Sequence, residues 1–166
     1  MITLPRLSAD RIILGSAAVA LLLATLHWLP GRQVRLHQKN LLRAVEDRKW
    51  VTVGGFISAN YKDPWGQTKP KILKHLPQIF ADFLALGVIP EEEILFRDDR
   101  NLVVQERIRI VGSGGPIAQF VMQESENLTA PFSFKWRKES WMPWDWALVE
   151  VTQPQADLPA KLEQDF

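Results

Sequence analysis

Between Ile12 and Leu29 the chain reads IILGSAAVALLLATLHWL, 18 residues without a charge, framed by Arg6 and Arg11 before it and by Pro30-Gly31-Arg32 after it. At about 1.5 Å per residue a helix over this run reaches roughly 27 Å, close to the hydrocarbon thickness of a bilayer. The pattern predicts a single transmembrane helix over residues 12–30 behind an N-terminal tail of residues 1–11. His27 and Trp28 then fall near one membrane interface, where amphipathic rings are stable. A cleaved signal peptide shares the basic start and apolar middle, but LHWLPGRQ offers no small-residue cleavage site. A buried soluble helix would carry a polar face, and none is present before His27.

The pattern changes after Pro30-Gly31. From Gln33 to Lys49 the apolar positions Val34, Leu41, Leu42 and Val45 alternate with charged residues at helical spacing. A short second helix fits Trp50, Val53, Phe56 and Ile57, with Gly54-Gly55 weakening it. A third helix is expected after Thr68 as its cap, with Ile72, Leu76, Ile79, Phe80 and Phe83 on its apolar side, Pro77 bending it and Gly87 with Pro90 ending it. From Glu93 onward the period becomes two. LVVQERIRIV, Leu102 to Val111, sets Leu102, Val104, Glu106, Ile108 and Ile110 on one face and Gln105, Arg107 and Arg109 on the other. GSGGP is expected to be a turn, Ile117 to Glu124 a returning strand, and FSFKWRKE and WDWALVEV the last two strands. Residues 154–166 form a polar tail. Helices followed by antiparallel strands define an α+β domain over residues 33–153, its helices packed on a curved sheet.

Composition narrows the function classes. Twenty basic and 19 acidic residues leave a formal net charge of +1, which offers no field for nucleic acid. The absence of cysteine excludes disulfides, thiolate metal sites and a cysteine nucleophile. His27, His37 and His75 are widely spaced, so no metal-ligand pattern is present and no metal is expected. No GxSxG elbow, P-loop or dinucleotide fingerprint occurs, and no cofactor is expected.

Four basic residues after the apolar run, Arg32, Arg35, Lys39 and Arg43, would favour a cytoplasmic domain by the positive-inside tendency. They belong to a folding domain rather than a short loop. Arg6 and Arg11 holding a short tail inside, with the domain exported, is the favoured orientation, giving a single-pass membrane protein with an extracytoplasmic domain.

Three stretches carry a resemblance: RAVEDRKW (Arg43 to Trp50), YKDPWGQTK (Tyr61 to Lys69) leading into the third helix, and FSFKWRKESWMPWDWALVEV (Phe132 to Val151). Together with the order of elements, they resemble the nuclear-transport-factor-two-like superfamily, the cone-shaped α+β fold of the ketosteroid isomerases and related enzymes and of many non-catalytic modules. The resemblance implies a pocket between the concave sheet face and the helices, here expected to be lined by Trp65, Phe80, Phe83, Phe134 and Trp136. It also implies dimers formed through the open sheet face.

Asp63-Pro64-Trp65-Gly66 is similar to the D-P-x-G segment that bears the proton-transferring aspartate of the isomerases. Asp63 is therefore the candidate general base, with Tyr61 and Glu106 assisting. The isomerase oxyanion tyrosine on the first long helix has no counterpart, because the only tyrosine is Tyr61. The late-strand acid has no clear match either, since those strands offer Gln119, Gln123 and Glu124. Loss of such donors costs several kcal/mol of transition-state stabilisation.

The plainer readings stand beside these. Aspartate before proline is a common turn former. Glu106 on an apolar strand face is either a site carboxylate or one half of a structural ion pair. Trp136, Trp141, Trp144 and Trp146 are explained by packing, or by a membrane-interface role for the Trp141-Met142-Pro143-Trp144 loop. Asn127-Leu128-Thr129 is a glycosylation sequon only in a eukaryotic secretory setting. The sequence points to a membrane-anchored, non-catalytic module that binds a small apolar molecule or a protein partner. The alternative is an isomerase, lyase or hydrolase using Asp63.

Overall fold

A computed structural model describes Ser16 and residues 29–155. The apolar run and the C-terminal tail beyond Gln155 thus lie outside the described residues, apart from Ser16 and Leu29. Among the described residues no helix is long and apolar enough to cross a membrane.

The first helix, α1, spans Pro30–Glu46 and buries Val34, Gln38, Leu41, Leu42 and Ala44 at helical spacing. Pro30 suits its first turn, where the missing N–H would be unpaired in any case. It ends in a Schellman motif: Lys49 N–H donates to Ala44 O and Arg48 N–H to Val45 O. That motif holds Arg48 at φ 56°, a left-handed conformation costing about 1 kcal/mol for a residue with a Cβ. The Arg48 guanidinium offsets this by donating to Phe83 O at 2.6 Å, which ties the end of α1 to the start of the sheet.

Helix α2, Trp50–Phe56, is short, and α3, Lys69–Phe80, follows the Asp63 turn. Thr68 occupies the N-cap position of α3, but its side chain makes no capping hydrogen bond. Pro77 is accommodated within the helix.

Four antiparallel strands follow in the order β1-β2-β3-β4: β1 Phe83–Asp98, β2 Asn101–Gly114, β3 Phe132–Lys138 and β4 Trp146–Thr152. The inner face is formed by Leu102, Val104, Ile108, Phe134, Trp136 and Leu148. They pack with Val34, Leu41, Leu42, Val53, Ile57 and Tyr61 in one buried cluster. A lone bridge from Ile57 to Leu148 brings the chain after α2 alongside β4.

Two expectations are corrected. The third helix ends at Phe80 instead of running to Gly87, and Phe83 opens a 16-residue strand. Proline is tolerated there because β1 is an edge strand, so Pro90 need not donate to a second neighbour. A register shift between Glu91 and Ile94 breaks the alternation that would have marked the strand.

The segment after GSGGP is the second correction: it is a helix, α4, over Pro116–Asn127, rather than a returning strand. Its start is held by Asp82, whose Oδ2 accepts from Ala118 N–H at 3.0 Å and whose main-chain oxygen accepts from Gly115 N–H at 3.1 Å. The glycines make this approach possible. A Cβ on Gly115 would sit 2.4 Å from Asp82 Oδ1, and one on Gly114 2.2 Å from Asp82 O. Ser125 then fastens α4 to β2, its hydroxyl accepting from Ile110 N–H at 3.0 Å and donating to Met122 O.

Candidate functional site

A cleft of about 250 Å³ opens between α1 and the β1–β2 hairpin. Gln38, Lys39, Leu42, Arg43 and Glu46 of α1 form one wall, Val88, Pro90 and Glu93 of β1 the other, and Glu106 of β2 also lines it. Glu106 occupies an inward strand position, so it comes from the core face into the cleft with only 2% of its surface exposed.

The carboxyl is not alone. Trp136 Nε1 donates to Gln38 Oε1 at 3.0 Å, and Gln38 Nε2 donates to Glu106 Oε1, linking β3, α1 and β2 in one buried chain. Burial lifts the Glu106 carboxyl from its usual 4.5 to about 7; the Gln38 amide opposes this shift and the Glu93 charge adds to it. A carboxyl poised near neutrality can donate a hydrogen bond when protonated and accept a proton when not. The cleft therefore holds one titratable group whose state changes in the ordinary working range.

Gln38 was not among the residues singled out from sequence. Its signal was there: a glutamine four residues after Val34 and three before Leu41 sits in the apolar stripe of α1. A polar residue in that stripe needs a buried partner, and Glu106 is that partner.

Asp63 and Tyr61 form a separate corner. Asp63 Oδ1 accepts from Gln67 N–H at 2.8 Å, and Oδ2 accepts from the Tyr61 hydroxyl at 3.1 Å. The main-chain oxygen of Asp63 accepts from Gly66 N–H at 3.1 Å, with Gly66 at φ 72° and Lys62 bridging Thr68 across the loop. Pro64 and the left-handed glycine supply the turn geometry, and the aspartate side chain fixes it. Burial, together with the Asp63 carboxylate, holds the Tyr61 phenol well above its ordinary range, so it stays a neutral donor. Asp63 and Tyr61 meet each other, but neither lines the cleft over Glu106.

The expected aromatic pocket is likewise redistributed. Phe134 and Trp136 lie in the main core, while Phe80 and Phe83 stack at 5.5 Å in a second cluster with Ala118. Trp65 is half-buried beside the Asp63 turn. None of the five lines the cleft, whose walls carry five ionisable groups beside Leu42, Val88 and Pro90. His37 packs edge-on against Phe56 and Trp136. Among the described residues no group of three or more histidine or acidic side chains converges to hold a metal.

No protein-family model matches the chain, and no curated protein matches it in sequence. Similar solved structures exist. Bd1075 of Bdellovibrio bacteriovorus superposes with a TM-score of 0.55 at 10% identity over 74% of this chain, which spans only 39% of that protein. A nuclear-transport-factor-two-like protein of unknown function from Pseudomonas putida gives 0.54 at 8% identity, over 73% of this chain and 82% of the other. A protein of unknown function with a cystatin-like fold from Nostoc punctiforme gives 0.51 at 10% identity, over 76% and 92%. At such identities the likeness is one of backbone architecture. Helices packed on a four-stranded antiparallel sheet, with these neighbours, give the chain the nuclear-transport-factor-two-like, cystatin-like fold.

Proposed function

We propose that this protein is a membrane-anchored binding module whose cleft over Glu106 takes a small molecule with an apolar body and one polar end. The anchor is the uncharged run 12–29. The observation that carries the ligand reading is Glu106 itself, a carboxyl buried to 2% exposure yet lining an open cleft and poised near pH 7. Leu42, Val88 and Pro90 supply apolar contact, and Lys39 and Arg43, sharing the cleft with Glu46, Glu93 and Glu106, offer charged and hydrogen-bonding groups for the polar end.

Proton transfer on the same ligand is the second reading, favoured by the near-neutral carboxyl. Glu106 would then be the acid–base group. Asp63 would have to give up hydrogen bonds to Gln67 and Tyr61 to serve.

The test is a fragment screen on the full chain in detergent micelles, followed by affinity measurement between pH 5 and pH 9. A ligand that accepts a hydrogen bond from protonated Glu106 loses affinity as pH rises through about 7, and Glu106→Gln removes that dependence. Ligands whose binding is indifferent both to pH and to Glu106→Gln would defeat the reading.

A further inference from the structure

We propose that the end of the domain joined to the apolar run rests on the lipid surface, with the β3–β4 loop seated in the bilayer interface through Trp141. This rests on the anchor reading above, and it adds a second, peripheral contact made by the folded domain.

Topology puts the parts together. Asp98 pairs with Asn101 at the tip of the β1–β2 hairpin, Asn101 pairs with Arg137, and Lys138 pairs with Trp146. The hairpin tip and the β3–β4 loop therefore leave the sheet at the same end. Helix α1 runs antiparallel to β1: near its start Gly31 lies against Leu95 and Arg35 pairs with Glu93, while just past its end Arg48 bonds Phe83. Leu29, the last residue of the apolar run, consequently emerges at that same end.

Several large apolar residues are exposed there. Trp141 is 81% exposed, and Leu29, Ile94, Phe96 and Trp144 are also large apolar residues left exposed. Ile94 and Phe96 flank the inward-facing Leu95 and so lie on the outer side of the strand. The loop is organised by its own hydrogen bonds. Lys138 Nζ donates to Trp141 O at 3.1 Å, Met142 N–H to Ser140 Oγ at 3.2 Å, and Trp146 Nε1 to Pro143 O at 3.0 Å. Water satisfies the indole N–H of Trp141 but leaves its apolar ring exposed, whereas a membrane interface suits ring and N–H together.

The occupant follows from connectivity. A spanning run that ends at Leu29 keeps this end of the domain within reach of the bilayer, whatever else the protein meets. Charges at the hairpin tip are of both signs, Arg97 and Arg100 beside Asp98 and Asp99. Aromatic insertion rather than net headgroup charge is therefore the driving interaction, and a net-neutral phosphatidylcholine surface suffices.

The natural chain has no cysteine, so one can be placed at will. Full-length M142C and L84C, each carrying a nitrobenzoxadiazole label, are reconstituted in phosphatidylcholine vesicles containing a headgroup nitroxide quencher. Met142 is in the middle of the loop between Lys138 and Trp146, and Leu84 is 86% exposed at the opposite end of β1. Quenching is expected to be several-fold stronger at M142C than at L84C, and W141S in the M142C background is expected to bring it down to the L84C level. Equal quenching at both labels in protein that resists an alkaline wash overturns the docking while leaving the anchor standing. Quenching at M142C that W141S leaves unchanged overturns the role of the indole. Protein released by the alkaline wash overturns the anchor and the docking together.

Discussion

Replacing Glu106 with glutamine isolates the free energy stored in the buried carboxyl. The folded chain holds this group at about 7 against 4.5 for the unfolded chain. Below pH 4.5 both states keep the proton. Between 4.5 and about 7 the unfolded state releases a proton that the folded state retains, so the unfolding free energy falls as pH rises. Above 7 both are ionised and the loss is complete. At about 1.4 kcal/mol per pH unit, the span from 4.5 to about 7 sets a loss of roughly 3 kcal/mol.

Glutamine keeps the shape and can still accept from the Gln38 amide, but it carries no charge to desolvate. Glu106→Gln and the natural chain should thus be close in stability at pH 5, with the variant more stable by about 2–3 kcal/mol at pH 8. Urea unfolding of the full chain in micelles, followed by tryptophan fluorescence at pH 5, 6, 7 and 8, measures the gap. A gap that stays constant across this range, or that narrows with pH, would refute the reasoning.

The contact between GSGGP and Asp82 is also testable. Gly115→Ala is expected to lose roughly 1–3 kcal/mol, because its Cβ meets the Asp82 carboxylate at 2.4 Å. Gly55→Ala, in α2 with no atom within 4 Å of the added methyl, should instead gain about 0.5–1 kcal/mol from helix propensity; urea midpoints of the two variants should move in opposite directions. Asp63→Ala leaves the buried Tyr61 O–H and the Gln67 N–H without their acceptor and should cost roughly 1–3 kcal/mol of stability while sparing ligand affinity at the Glu106 cleft. Thermal unfolding together with binding measurements checks this, and an affinity loss at unchanged stability would return Asp63 to the site.

Periodicity alone carried the α+β class. Val34, Leu41 and Leu42 at helical spacing, and Leu102 to Ile110 alternating, were readable because each element buries one face, and the spacing of apolar residues records that face. The same alternation put Glu106 on the inner side. The uncharged run at 12–29 is also a property of the sequence, since bilayer thickness needs only local length and polarity.

Tertiary structure decided the rest. Strand β1 was hidden because an edge strand tolerates Gly87 and Pro90 and its bulge breaks the alternation. Helix α4 was hidden because Pro116 reads equally well as the end of a turn and the first turn of a helix. What chose the helix was Asp82, 36 residues away, accepting the N–H of Ala118. The surroundings of the two candidate carboxyls differ as well. Asp63 and Glu106 were both bare carboxylates in the sequence; the first is held by near neighbours along the chain, the second by partners brought in from far away. Gln67 and Tyr61 hold the first in a turn, while Gln38, itself held by Trp136, meets the second across a core assembled from α1, β2 and β3. The environment of Glu106 is set by neighbours distant along the chain, and the pattern of residues near it does not contain them.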